Sequence, residues 1–102
     1  MEENGGVTLQ ELRQSKRDQI FSLAASYGAR NIRVFGSVAR GEGTAGSDID
    51  FLVDLDPDHT LMDLGGLLMD LQSMLNAPVD VATEDLLRPK VRQQALLDAV
   101  PL

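Results

Sequence analysis

The chain has 102 residues, 43% of them hydrophobic, with a formal net charge of −7 and no cysteine. That length suits one domain with a single core and leaves no room for a catalytic domain plus a full substrate domain, while the missing cysteines exclude disulfides and thiolate metal sites. The acidic balance argues against direct binding of long nucleic acid, which rests on neutralising phosphates with Lys and Arg.

No apolar run approaches the roughly 20 residues that span a bilayer, and the opening MEENGGVTLQ lacks the basic start and apolar stretch of a signal peptide, so the expected setting is the cytoplasm, away from membranes. Residues 1–7 are polar and contain glycine, which predicts a flexible N-terminus ahead of a single domain over 8–102. Thr8 with Glu11 forms a capping-box pattern, and Leu12, Ile20, Leu23 and Tyr27 recur at helical spacing until Gly28 offers a stop. Asn31 to Phe35 is a short β-prone run ending at Gly36, and Ile49 to Leu55 is a second, closed by Asp56-Pro57-Asp58. Between them, Ser37 to Ser47 carries Gly41, Gly43 and Gly46, which leaves room for one short helical turn at most. Thr60 with Asp63 is another capping box. It opens a helix with the apolar stripe Leu61, Leu64, Leu67, Leu68, Leu71 and Leu75, ended by Asn76-Ala77-Pro78. Val79 to Ala82 is a third strand, and Pro89 precedes a last helix carrying Val91, Ala95 and Leu96. This order implies an α+β fold, a small mixed sheet with helices packed on one face.

Alternation along the second strand sets Ile49, Phe51, Val53 and Leu55 toward the core and Asp48, Asp50, Leu52 and Asp54 toward the other side. Asp48 and Asp50 stand near enough to share one ion or bridge two, and carboxylate oxygens suit Mg²⁺, which takes one or two of them plus substrate phosphates. If Val79 and Val81 face the core, Asp80 emerges on the same side as a third carboxylate. Three such groups repel unless a cation or protons offset them, which is the physical reason to expect metal there. Gly36-Ser37 directly after a strand resembles a phosphate cradle, in which glycine lets the backbone come close and the Ser37 hydroxyl and free amides donate. Arg40, one turn on, is a candidate contact to the phosphates, and Ser47 a candidate to orient the Asp48 loop. Asp54 lies ~13 Å along the strand from Asp50 and stays outside the site. His59 reads as a solvated loop residue, and Met62, Met69 and Met74 as core filling or partner contact. The cluster Arg88, Lys90 and Arg92 reads as solvated surface.

Gly36-Ser37, a ten-residue spacer and Asp48-Ile49-Asp50, within VFGSVARGEGTAGSDIDFLV, resemble the signature of the DNA polymerase β-type nucleotidyltransferase superfamily, and the short chain points to its minimal nucleotidyltransferase branch. The resemblance implies a nucleotidyltransferase fold, ATP as nucleotide substrate and one or two Mg²⁺ held by Asp48, Asp50 and Asp80, with Gly36 and Ser37 on the nucleotide phosphates. That branch is typically encoded beside a HEPN-domain protein as a toxin–antitoxin pair, which implies an antitoxin that neutralises a HEPN ribonuclease by transferring AMP from ATP to one of its tyrosines. Two other readings stay open: an antitoxin that blocks its partner by binding alone, and a transferase for a small hydroxylated molecule. Base preference, the acceptor atom, the number of metals at rest and any homo-oligomer are left undetermined by the sequence.

Overall fold

The computed structural model describes residues 6–102. The flexible stretch expected over 1–7 therefore lies, for 1–5, outside the described residues. Of the remainder, Val7 is partly buried against the core.

Four strands form one mixed sheet in the order β3-β2-β1-β4. They are β1 (Ala29–Phe35), β2 (Ile49–Leu55), β3 (Val79–Ala82) and β4 (Val100–Pro101). β2 runs parallel to β3, while β1 runs antiparallel to both β2 and β4. The helices are α1 (Leu9–Glu11), α2 (Arg17–Ser26), α3 (Gly36–Ala39), α4 (Leu61–Leu75) and α5 (Pro89–Asp98).

The expected single N-terminal helix is present with an interruption: a π turn over Leu12–Lys16 separates α1 from α2. Leu12 and Ile20 are both fully buried, yet in a regular α-helix positions 12 and 20 would differ by about 80° around the axis. The wider turn absorbs one residue and brings both onto the core side. Thr8 caps the start, its Oγ1 accepting from the Glu11 amide at 3.1 Å. Gly28, at φ +76, follows the end of α2.

β1 starts two residues earlier than the β-prone run suggested, because Asn31 adopts φ +53 at a bulge where the β1–β2 register shifts between Arg30 and Arg33. Asn is among the few residues that take this left-handed conformation readily.

The capping box of α4 is complete, with the Thr60 amide donating to Asp63 Oδ2 at 2.9 Å and the Thr60 side chain capping the first turn. Leu64, Leu67, Leu71 and Leu75 are buried along one stripe, whereas Leu61 stays 65% exposed, so the apolar face is narrower than the full leucine pattern. Each fully buried leucine contributes roughly 1.5–3 kcal/mol. Asn76 ends the helix in the left-handed region at φ 52.

The main core lies between α2, α4 and the sheet face carrying Val34, Ile49, Phe51 and Val53. The opposite face is partly covered. There Phe35, Leu52 and Ala95 make a second small cluster, which seats α5 beside the carboxylate side of the sheet. β4 is an element the sequence reading lacked, and Leu102 beyond it donates to the Ile32 carbonyl at 3.1 Å.

Candidate active site

Asp50 sits near the start of β2, directly opposite Asp80 of β3 and Phe35 of β1 in the ladder. Adjacent strands lie about 4.8 Å apart, so the two carboxylates are neighbours on one face. Asp48 precedes β2 by one residue and is exposed, as is Asp80, while Asp50 is half-buried. The site is therefore an open shelf whose middle carboxylate is the shielded one.

The Gly36-Ser37 step forms the other wall. β1 ends at Phe35 and the chain turns at once into α3, with Gly36 at φ +73. A Cβ placed on Gly36 would collide with Asp50 Oδ2. Glycine is thus required twice over, by the backbone conformation and by the approach of the carboxylate. The turn is closed behind it by the Glu42 amide donating to the Ser37 carbonyl at 2.8 Å and the Arg40 amide to the Gly36 carbonyl at 3.2 Å.

Burial pushes the Asp50 carboxyl from an ordinary 3.8 up to about 6, the charges of Asp80 and Asp48 push it the same way, and Arg40 pulls it partly back. Asp48, Asp80 and Arg40 are therefore each within electrostatic reach of Asp50. Asp80 has one oxygen engaged, its Oδ1 accepting from the Val81 amide at 3.0 Å. Among the described residues no three His, Cys, Asp or Glu side chains form a ready-made cation cage. Mg²⁺ keeps several waters and completes its shell with substrate phosphates, so it does not require a closed protein cage. The all-oxygen donor set and the charge repulsion at Asp50 fit the same ion.

Arg40 extends from the end of α3 and is held by two carboxylates, Nε to Glu42 Oε1 at 3.0 Å and Nη1 to Asp98 Oδ2 at 2.6 Å. Ser47 acts within its own loop: its Oγ accepts from the Thr44 amide at 2.9 Å, and its amide donates to the Thr44 carbonyl at 2.9 Å. Both bonds shape the approach to Asp48. Asp54 is taken up elsewhere, paired with Arg33 at 3.0 Å and Arg30 at 3.6 Å. A cavity of about 640 Å³ opens at that far end of β2, lined by Arg30, Asp54, His59 and Leu86 among others, and stands apart from Asp50. His59 lies against Gly28, its Nδ1 3.2 Å from Asp63.

Asp98 is the residue the sequence reading missed at this site. Its only local signal is its sign, an acid in the last turn of a helix, where the macrodipole disfavours one.

A model of the nucleotidyltransferase domain matches residues 16–102. The protein adenylyltransferase MntA of Thermococcus cleftensis is 31% identical over 94 residues, which span 92% of this chain and 95% of that protein. A solved structure assigned as a minimal nucleotidyltransferase superposes with a TM-score of 0.80 at 43% identity, covering 94% of this chain and 97% of the other. A chain of the solved complex of tri-AMPylated Shewanella oneidensis HEPN toxin with MNT antitoxin shares the fold, with a TM-score of 0.66 at 21% identity over 87% of this chain and 70% of that one. The Gly36-Ser37 turn locked against Asp50, the facing Asp80 and these likenesses agree: the chain belongs to the nucleotidyltransferase domain family, in its minimal nucleotidyltransferase branch.

Proposed function

We propose that this nucleotidyltransferase is a cytoplasmic antitoxin that transfers AMP from Mg-ATP to a tyrosine hydroxyl of a HEPN-type toxin. The observation that carries the reading is Asp50, half-buried against Gly36 and facing Asp80, where burial and two like charges outweigh the pull of Arg40. The relative named as a protein adenylyltransferase and the AMPylated toxin in complex with an MNT antitoxin supply the acceptor class.

Asp48, Asp50 and Asp80 would hold Mg²⁺, which offsets negative charge on the transferring phosphoryl group. Gly36 brings its backbone close to the phosphates, and the Ser37 hydroxyl donates to their oxygens. The acceptor oxygen attacks the α-phosphorus in line with the bridging oxygen, whose bond breaks to release pyrophosphate. Asp80 lies at the sheet edge with Oδ1 on the Val81 amide, which leaves Oδ2 to take the hydroxyl proton. The shelf's openness suits an acceptor presented by a second protein.

Intact-mass measurement of a HEPN partner after incubation with the chain, ATP and Mg²⁺ tests this. AMP increments that vanish with Asp48→Asn or Asp50→Asn are expected. No increment, with neutralisation surviving both substitutions, would leave binding alone as the antitoxin's means.

A further inference from the structure

Asp98 is placed against the ordinary preferences of a carboxylate. It is the last residue of α5, where the helix macrodipole opposes negative charge. Its side chain is only 9% exposed, and burial of an ion without partners is costly. Both oxygens are engaged: Oδ2 receives Arg40 Nη1 at 2.6 Å, and Oδ1 receives Gln94 Nε2 at 3.1 Å. Gln94 stands one turn earlier on the same helix, so the carboxylate is aimed from α5 toward Arg40.

Arg40 has two unequal partners. Asp98 is nearly buried, whereas Glu42, on Nε at 3.0 Å, is 63% exposed. An exposed pair contributes little and is readily exchanged for another anion. A shielded, doubly held carboxylate is not. Nη2 has no carboxylate partner among the described residues, so the guanidinium keeps a donor edge for an incoming anion. Arg40 caps the short helix that begins at Gly36, its amide donating to the Gly36 carbonyl at 3.2 Å, which sets the residue one turn from the Gly36-Ser37 step. α5 is fixed to the same place by Ala95 packed on Phe35 and Leu52, and Phe35 is both the residue before Gly36 and the ladder partner of Asp50.

We infer that Asp98 is a positioning residue for nucleotide binding: it anchors Arg40 to α5 so that the guanidinium meets the triphosphate beside Gly36 and Ser37, with Glu42 the partner the phosphates displace. This rests on the nucleotidyl-transfer reading above. Asp98 itself touches neither nucleotide nor acceptor. The tether removes the rotamer freedom that a long arginine would otherwise lose on binding, so its effect falls on affinity more than on turnover.

The test combines a geometric and a functional measurement on the full chain. In NMR spectra of the nucleotide-free protein, the Arg40 guanidinium should show restricted rotation that Asp98→Ala abolishes. AMP transfer to the HEPN partner should then show KM for ATP raised roughly tenfold in Asp98→Ala, with kcat within about twofold of wild type. Asp98→Asn, which keeps an acceptor but loses the charge, should fall between. In an Arg40→Ala background Asp98→Ala should add nothing, a silence that a purely structural role would not produce. Binding of a non-hydrolysable ATP analogue with Mg²⁺, followed by calorimetry, separates the two ideas. If wild type binds it and Asp98→Ala binds it equally well, this inference falls and the nucleotide reading stands. If wild type binds none, both fall. A freely rotating Arg40 in the wild type also overturns the tether.

Discussion

Asp50→Asn is expected to abolish nucleotidyl transfer and, at neutral pH, to make the protein more stable. A carboxyl carried from 3.8 up to about 6 on folding corresponds to about 3 kcal/mol at 1.36 kcal/mol per unit. Asp50 is only half-buried, so solvent screening reduces this to about 1–2 kcal/mol. The sign follows from proton uptake. The folded pKa lies above the unfolded one, so between the two values the folded chain binds more protons, and stability falls as pH rises from about 4 to about 6, staying low beyond it. Asparagine cannot ionise and escapes this loss. Urea unfolding in the presence of EDTA should therefore show the two proteins nearly equal near pH 4 and the variant ahead by about 1–2 kcal/mol near pH 7.5. Adding Mg²⁺ should narrow the gap from the wild-type side by mass action on the folded state. A gap that is constant with pH, or a variant less stable than wild type near pH 7.5, would refute the reasoning, because either result means that Asp50 is not held ionised against burial and like charge.

Two further substitutions probe the frame around that carboxylate. Gly36→Ala forces a Cβ into a left-handed backbone and into Asp50 Oδ2, so a loss of about 1–3 kcal/mol in urea unfolding is expected together with lost ATP binding; an alanine variant as stable as wild type would show that the turn relaxes freely. Thr60→Ala removes the cap that accepts from the Met62 amide at 3.2 Å, at a cost of about 1 kcal/mol, and AMP transfer at a temperature well below unfolding should be unaffected, since the cap lies at the far end of β2 from Asp50.

What was legible in the sequence was local. The Gly36-Ser37 step, the alternation that turns Asp50 outward and the Thr60-Asp63 box each depend on residues a few positions apart, and each appears in the structure as read. The π turn was hidden because Leu12 and Ile20 both suit a helical stripe by type, and only their shared burial reveals the residue absorbed between them. β4 was hidden because two residues show no alternation; Pro101, which lacks an amide, is tolerated because the strand is at the sheet edge. The covering of the second face depends on Ala95 meeting Leu52 and Phe35, and the Arg40–Asp98 pair joins residues 58 positions apart. Neither leaves a local mark.

The treatment of aspartate across the chain separates structure from chemistry. Asp54 and Asp56 are matched to arginines, Asp63 caps α4, Asp70 accepts from the Tyr27 hydroxyl and Asp85 from Thr83 at 2.5 Å. Asp98 binds Arg40. In each case a hydrogen bond or opposite charge offsets the cost of fixing the anion. At Asp50 the surroundings do the reverse: burial and two like charges act on it, with Arg40 as the lone opposing influence. Substitution by a neutral residue would relieve that strain without leaving a cavity, so folding gives no reason for the carboxylate to be there. On the proposed function the carboxylate serves a cation that arrives with the nucleotide, and the glycine beside it leaves the backbone bare for a phosphate. The instability at Asp50 is thus the physical signature of the site, and it is why the same substitution should raise stability and abolish transfer together.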